Sequence, residues 1–365
     1  MKIEPGYTYL LKNDRSGRVV SPQAFSTAEA QTLQQLNLRT DPGQRKAQVW
    51  HAMPLDDGYV LFVNKKSARV MSPQAFSQAE AQTLQQLNIR TDPGHRNTQQ
   101  WEAMDDGNRL LLRNRISGRV VSPQAFSTAE AQTLQQLNIR ADANQRAVQR
   151  WELVVDGEDR RVTELPPVDR EVNEIGDVDR LTGFAKPPKD RTDEVLVGQS
   201  VIPFLLVNDG GVDQRPWQSE TNPYYLLKRF GYWEQVFYYE HSGNSEYTEK
   251  QTTTLGLTTG NQHTIEETVS ITVGMDAGFA FKGLTASMST SITTGLRVER
   301  TSYSEEESSE TVEITRRYES NGKRVAEAVW YRGDRYSLQR LDGTQLMEWR
   351  TINDQMKVND SYPAG

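Results

Sequence analysis

Cysteine is absent from the 365 residues of this chain. Its absence excludes disulfides, thiolate zinc sites and a cysteine nucleophile, so stability must come from packing. Long hydrophobic runs are also lacking, since the longest apolar stretch, Val201–Val207, is far shorter than the roughly 20 residues of a spanning helix. If the protein enters a membrane, it must do so with β-strands. Residues 1–12 carry Tyr and charge where a secretory signal would be apolar, so we expect no signal peptide.

Histidine is scarce, and the positive charges are outnumbered. The four histidines have no metal-ligand spacing, and the sequence contains neither a GxSxG elbow nor a phosphate loop. We therefore expect no enzymatic activity, no metal and no cofactor. The 42 Lys and Arg against 49 Asp and Glu give a net charge of -7. This balance disfavours a nucleic-acid partner, because such affinity comes mainly from cations that neutralise phosphates.

Internal repetition is the strongest positive signal. Three copies of the frame SPQAFS-x-AEAQTLQQLN recur with a period of about fifty residues, and each copy is followed by Gln-x-Trp. Short apolar segments separated by Gly, Asp, Asn and Pro turns, with no sustained helical spacing, predict all-β structure. The copies are Ser21–Arg45, Ser72–Arg96 and Ser122–Arg146.

The three Gln-x-Trp motifs resemble the three lobes of a ricin-type β-trefoil, over roughly residues 5–157. The resemblance implies that AEAQTLQQL is a loop leading into a strand, although its propensity alone favours a helix. We predict that each Trp lies near the pseudo-threefold axis and that each Gln hydrogen-bonds the backbone. The predicted structural core is Gln48, Trp50, Gln99, Trp101, Gln149 and Trp151.

Sugar-binding lobes of this type carry an Asp after the GRVV-like strand and an aromatic residue after the Gln-rich strand. Here these places hold Ser21, Ser72 and Ser122, and Leu36, Leu87 and Leu137. Ordinary galactose binding is therefore not expected. The next loop offers replacements, with a phenylalanine to stack on a sugar and a glutamine to hydrogen-bond it. These candidate ligand-binding residues are Gln23, Phe25, Gln74, Phe76, Gln124 and Phe126.

Two alternatives for these loops remain open. The phenylalanines either contact a ligand or fill the interior of each lobe. The near-identity of the loops fits either recent duplication or three equivalent sites, which would bind a glycan-rich surface with avidity.

The second half resembles the Tpp-type insecticidal proteins, the group that contains the mosquitocidal binary toxins and the larger component of the rootworm-active binary crystal toxins. The resemblance is carried by VIPFLLVND (Val201–Asp209), TNPYYLLKRFGYWEQ (Thr221–Gln235) and DSYP (Asp360–Pro363). It implies an aerolysin-like pore-forming toxin made by a bacterium and acting on insect gut cells, either alone or with a second, smaller component. We expect it to be held in the bacterial cytoplasm or an inclusion and then released.

A membrane hairpin is predicted near residues 269–292. Apolar residues fall on every second position from Val269 to Phe281, Lys282-Gly283 is a credible turn, and a weaker alternation follows to Ile292. Two strands of about 9–13 residues would cross a bilayer as part of a barrel. The alternative is an ordinary half-exposed sheet with Phe279 and Phe281 in its core. The lipid-facing residues would be Val269, Ile271, Val273, Met275, Ala277, Phe279, Phe281, Leu284, Ala286, Met288 and Ile292.

A single hairpin would leave backbone groups unpaired in lipid, so several copies must close a barrel as a homo-oligomer. We therefore predict an all-β chain, with a trefoil at 1–157, a charged, proline-marked connector at 158–198 and an elongated aerolysin-like sheet domain at 199–365. The connector is either protease-accessible or an ordered strap. The predicted function is an insecticidal pore-forming toxin whose trefoil binds a cell-surface glycan or protein receptor. The alternative is a trivalent lectin without pore activity.

Overall fold

The computed structural model describes residues 3–4, 6–55, 58–90, 93–161, 164–168, 172–209, 215–274, 276, 278–281, 286–298 and 308–363, with only the backbone for 93, 281, 286 and 287. It divides into two compact units. Unit 1 comprises residues 1–165, 203–223 and 283–288, and unit 2 comprises 166–202, 224–282 and 289–365. Residues 203–223, predicted in the sheet domain, thus belong to unit 1.

The described part of unit 1 is a twelve-stranded β structure with a short helix in each repeat. Its strands are β1 (Tyr7–Asn13), β2 (Val19–Pro22), β3 (Gln31–Leu36), β4 (Val49–Pro54), β5 (Val60–Asn64), β6 (Val70–Pro73), β7 (Gln82–Leu87), β8 (Trp101–Asp106), β9 (Arg109–Asn114), β10 (Val120–Pro123), β11 (Gln132–Leu137) and β12 (Trp151–Glu158). Its helices are α1 (Pro42–Gln48), α2 (Pro93–Thr98), α3 (Ala143–Gln149) and, in the 203–223 segment, α4 (Arg215–Thr221).

The repeat motif forms the core of unit 1. Trp50, Trp101 and Trp151 are fully buried in one hydrophobic cluster. Each indole N–H donates to a carbonyl of the second strand in its own lobe, at 3.0–3.2 Å. The preceding glutamines bind the backbone on both sides of their amides: Gln48 Nε2 donates to Asn37 O at 2.9 Å, and Gln48 Oε1 accepts from Arg39 N at 2.8 Å. Gln99 and Gln149 repeat this arrangement.

The nearly identical segments of the three repeats contact one another. The Gln-rich strands β3, β7 and β11 pair in all three combinations. Gln35, buried in β3, donates from Nε2 to the carbonyls of Ser127 and Ala129 in another lobe, both at 2.8 Å, and the matching glutamines Gln86 and Gln136 do the same. A change in one copy would therefore disturb its neighbours, which gives the near-identity a structural reason.

One lobe departs from the threefold pattern of ion pairs that the described residues show. Arg146 binds Asp106 at 2.6 Å, and Arg45 binds Asp156 in the same way. The equivalent Arg96 is 4% exposed and donates to a backbone carbonyl from Nη1. Among the residues that the structure describes, nothing accepts from its Nη2. Burial lowers the pKa of Arg96 to about 10.

Unit 2 is built on a six-stranded antiparallel sheet in the order β13-β14-β19-β20-β15-β18. Its strands are β13 (Val195–Pro203), β14 (Tyr224–His241), β15 (Tyr247–Thr259), β16 (Ile271–Val273), β17 (Phe279–Phe281), β18 (Ser309–Tyr318), β19 (Val325–Arg340) and β20 (Gln345–Tyr362). Helix α5 (Gln262–Val269) and, from Ser289 onward, helix α6 (Ala286–Leu296) accompany the separate β16–β17 hairpin. The predicted all-β class is confirmed, since the helices are short additions to sheets.

Part of the connector is an ordered strap on unit 2. Val178 and Leu181 are buried against Trp233 and Trp330, and Ile175 and Phe184 pack beside them. The Trp233 indole N–H donates to Gly176 O at 2.9 Å. Of the two alternatives for the connector, these contacts favour the strap.

The predicted two-strand pattern at 269–292 is wrong, because residues near both of its ends are helical and the observed hairpin between them is short. Val269 ends helix α5 instead of starting a strand. Among the described residues the hairpin is much shorter, pairing Ile271 with Phe281 and Val273 with Phe279, so the chain reverses direction inside the segment predicted to be one strand. The predicted turn residues, Lys282 and Gly283, lie outside the described residues.

Met288 and Ile292 lie in helix α6, not in a second strand. Met288, Ile292 and Leu296 follow one another at intervals of four residues, and all three are buried. This is the spacing of residues on one face of a helix. The Ser and Thr residues between them fit either period. Met275, Ala277 and Leu284 lie outside the described residues, and only the backbone is described for Phe281 and Ala286.

Replacing Leu55 by Asp should stabilise unit 1. Leu55 is the fifth residue after Trp50, the position that Asp106 and Asp156 occupy after their tryptophans, so a carboxylate there should meet Arg96. We expect the free energy of unfolding to rise by about 1–3 kcal/mol in urea denaturation. The reciprocal control, Asp106→Leu, leaves Arg146 without this partner and should lower it. A Leu55→Asp protein less stable than the parent would contradict the assignment.

Unit 1 should lose stability on mild acidification because of His51. Its side chain is buried, with Nε2 3.7 Å from Asp159 Oδ2. Burial outweighs the attraction of Asp159 and lowers the pKa of His51 to about 4. The unfolded chain therefore binds more protons, and stability should fall by up to about 3 kcal/mol as the pH drops from 6.5 to 4.

Urea denaturation at several pH values measures this loss. His51→Gln should flatten the dependence in this window, whereas His263→Gln, at an exposed site, should leave it intact. An unchanged slope in His51→Gln would refute the assignment.

Candidate functional site

The three SPQAFS loops share an unusual backbone conformation. In each loop, two consecutive non-glycine residues have φ near +54°, as in Ala24 and Phe25. The other pairs are Ala75 with Phe76 and Ala125 with Phe126. Left-handed backbone at such residues costs about 1–2 kcal/mol each, and strain of this kind concentrates at functional sites. The turn holds the phenylalanine half-buried at the surface, outside the core clusters.

An arginine covers one side of each loop phenylalanine. Arg39 lies 5.6 Å from the Phe25 ring centre, and the Arg90–Phe76 and Arg140–Phe126 pairs repeat this at 5.3 and 5.4 Å. Each arginine also binds a glutamate from a different lobe, as Arg39 binds Glu130 at 2.7 Å. The exposed Gln23 accepts a hydrogen bond from Gln31 at 3.3 Å, and Gln74 and Gln124 do likewise. Each loop therefore presents a half-buried aromatic ring beside an exposed, hydrogen-bonded amide.

The three loops are not equivalent. In the second lobe His95 packs on Phe76, with 4.2 Å between ring centres. The matching positions in the other lobes hold Gln44 and Gln145. Phe76 therefore has two covering side chains, Arg90 and His95. The sequence shows this substitution, but only the fold brings His95 to the ring.

The sugar-binding positions of ordinary ricin-type lobes are buried here. The Ser21 hydroxyl is inaccessible and donates to the Pro22 carbonyl at 3.1 Å, and Ser72 and Ser122 do the same. Leu36, Leu87 and Leu137 are also buried. Any sugar site in this unit must therefore use other residues.

The second candidate site is the segment between β15 and β18. These strands are antiparallel neighbours over ten pairs, from Tyr247–Tyr318 to Gly256–Ser309. Residues 260–308, called the insert below, join their adjacent ends and contain α5, β16, β17 and α6. The β15–insert–β18 segment is thus topologically one long hairpin whose end is folded into other structure.

The apolar residues of the insert whose side chains are described are covered in the folded chain. Ile271, Val273 and Phe279 are buried, and the Phe279 ring packs on Tyr336 at 4.8 Å and near Trp349 at 6.1 Å. Helix α6 buries Ile292 and Leu296. Asp276, the only charged residue between 269 and 281, occupies a half-exposed turn position on the polar side of the alternation.

Among the helices that the structure describes, none has the length and apolar character to cross a membrane. Among all the residues that the structure describes, no three His, Asp or Glu side chains are grouped as metal ligands would be.

Comparison with known proteins identifies a family match in the second half and relatives that match part of the chain. The family described as insecticidal crystal toxin, P42, matches residues 195–364. Binary larvicide subunit BinA of Lysinibacillus sphaericus is 24% identical over 187 residues, 50% of this chain and 49% of the relative. Insecticidal crystal protein Cry35Ab1 of Bacillus thuringiensis is 28% identical over 90 residues, 25% of this chain and 23% of the relative. The chain thus matches about half the length, or less, of these curated relatives.

The fold extends the similarity to nearly the whole chain. The crystal structure of Cry35Ab1 superposes with a TM-score of 0.65 at 17% identity, covering 99% of this chain and 91% of that one. The resemblance to Tpp-type insecticidal proteins is therefore confirmed.

Proposed function

We propose that this protein is a non-enzymatic insecticidal pore-forming toxin, in which the trefoil binds a cell-surface glycan or receptor and the insert enters the membrane as β-strands of an oligomeric barrel. The observation that carries the proposal is the position of the insert. The insert joins β15 and β18, which are already paired as antiparallel neighbours. If the insert became extended, it would lengthen the hairpin that these two strands form.

The side-chain pattern of the insert supports entry as strands. Thirteen residues from Val269 to Phe281 alternate between apolar and small or polar residues, with Asp276 on the polar side. As an extended strand this segment exceeds the roughly 9–11 residues that a tilted strand needs to cross a bilayer. In the folded chain its apolar residues Ile271, Val273 and Phe279 are covered. Entry would therefore require the insert to leave the sheet and its helices to become strands.

The SPQAFS loops are the proposed receptor contact. They combine strained backbone, a half-buried aromatic ring and an exposed amide in three copies. Aromatic rings and amides are the groups that stack on sugars and bind their hydroxyls. Three weak sites on one unit would gain avidity on a glycan-rich surface.

A second toxin component is the proposed partner. Relatives in the comparison are named as subunits of a binary larvicide, and a chain of this kind would act with a smaller protein at the insect cell membrane. Storage in the bacterial cytoplasm or an inclusion, followed by release, fits this role.

Changing Phe25, Phe76 and Phe126 together to Ala should abolish binding to insect brush-border membranes, because the stacking surface is lost. The melting temperature should change little, since these rings lie outside the core clusters. The matched control replaces Glu29, Glu80 and Glu130 by Gln, which removes the inter-lobe ion pairs. It should lower the melting temperature and preserve binding. Undiminished binding by the triple Phe variant would exclude the loops.

Asp276→Asn should reduce the cation selectivity of the pore in planar bilayers, because it removes a charge from the side of the strand that faces water. The variant keeps an acceptor for the Gly278 N–H. Asp342→Asn is the matched control, since Asp342 accepts the Thr344 N–H in the same way in another turn. Equal reversal potentials for Asp276→Asn and the parent would contradict the proposed strand orientation. Binding without conductance would favour the trivalent lectin.

A further inference from the structure

We propose that unit 2 contains a clamp on the C-terminal end of helix α6, formed by Arg229, Asp334, Gly198 and Gly295, whose opening controls release of the insert. The inference rests on the proposed pore function, because it assigns the step that regulates it. It concerns only contacts within unit 2.

Arg229 on β14 caps helix α6. Its Nη1 donates to the carbonyl oxygens of Leu296, at 3.2 Å, and Arg297. Carbonyls at a helix C-terminus have no partner within the helix, and a cation there also offsets the negative end of the helix dipole. Arg229 therefore stabilises the helical form of a segment that must become extended for membrane entry.

Asp334 fixes the capping arginine. One carboxylate oxygen accepts from Arg229 Nη2 at 2.6 Å, and the other accepts from Arg332 at 3.1 Å. The Asp334 side chain is nearly inaccessible, and that of Arg229 is largely buried. Because Arg332 would still pair with Asp334, loss of Arg229 should open the cap without leaving a buried carboxylate unpaired.

Two glycines let the end of α6 lie directly on β13. A Cβ at Gly198 would lie 2.9 Å from the Leu296 Cα and still closer to its carbonyl. A Cβ at Gly295 would lie 2.8 Å from the Gln199 carbonyl oxygen and 3.0 Å from the Ser200 Cβ. Real Cβ atoms do not fit at such distances, so this backbone contact requires glycine at both positions. The charged cap and the close contact thus hold the same end of the helix.

The β16–β17 hairpin covers buried polar groups of the sheet that lack hydrogen bonds to other described residues. Phe279 covers Tyr336 and Trp349, yet within the described residues neither the Tyr336 hydroxyl nor the Trp349 indole N–H has a hydrogen-bond partner. Burial raises the pKa of Tyr336, and the neighbouring Thr351 opposes this only in part. The Thr351 hydroxyl also lacks a hydrogen bond of normal geometry to any described residue. Water could bind these groups once the insert leaves, and their hydration would favour release. The clamp therefore opposes a release that the sheet itself favours.

A reversible disulfide tests the clamp directly. The chain has no cysteine, so Ser200→Cys with Gly295→Cys would give one defined bond, which a small shift of the helix brings into the usual Cβ–Cβ range of about 3.5–4.5 Å. The new Cβ at position 295 does not fit the resting contact, so the reduced variant should release dye from phosphatidylcholine vesicles faster than the parent, whereas the oxidised variant should release it at least about tenfold more slowly than the parent. If the parent releases dye and the oxidised variant releases it equally fast, the clamp is refuted while the pore function stands.

A second variant tests the cap without a crosslink and without a membrane. Arg229→Met should make amide exchange in 288–296 about tenfold faster in the free protein, because the charge-assisted bonds that hold the helix end are lost. Arg324→Met, which breaks an exposed ion pair with Glu240, is the control and should leave this exchange unchanged. Equal exchange in Arg229→Met and the parent would refute the clamp. Faster exchange of α6 without dye release from any variant would support the clamp and overturn the pore function.

Discussion

The need to pair every buried backbone N–H and C=O group shapes both units of this protein. In unit 1 the Gln-rich strands of the three repeats pair with one another, and glutamine amides bind the carbonyls of loops in other lobes. In unit 2 the insert joins two strands that already pair. The same requirement in lipid makes a closed barrel the form in which that hairpin could cross a membrane. The requirement for backbone hydrogen bonds thus applies both to the resting fold and to the proposed membrane-inserted form.

The sequence predicted the repeat architecture well, because each Gln-x-Trp motif makes local and threefold-related contacts that repeat with it. The buried tryptophans follow from that pattern. It did not reveal the short helices α1 and α3, although Asp41 and Asp142 precede them as N-caps. It also could not show that Leu55 stands where the other lobes place a carboxylate against the equivalent arginine, because that pairing joins different lobes.

The insert shows where pattern alone fails. Apolar and small or polar residues alternate from Ile271 to Phe281, yet among the described residues only three in each strand of the hairpin are paired. Beyond it, Met288, Ile292 and Leu296 have helical spacing, and the Ser and Thr residues between them conceal it. A segment that adopts two structures in turn would be expected to carry both periodicities. The clamp on α6 then favours the helical structure over the extended one in the free protein, because Arg229 and the two glycines contact only the helical form.

The most direct test of the central claim is a scan of single cysteines, each carrying an environment-sensitive fluorophore, along residues 271–280 of the membrane-bound protein. The account predicts a two-residue period: labels at Ile271, Val273 and Phe279 are quenched by a lipid-soluble quencher, and labels at Thr272 and Ala280 by an aqueous one. Uniform aqueous quenching, or a helical period, would contradict it.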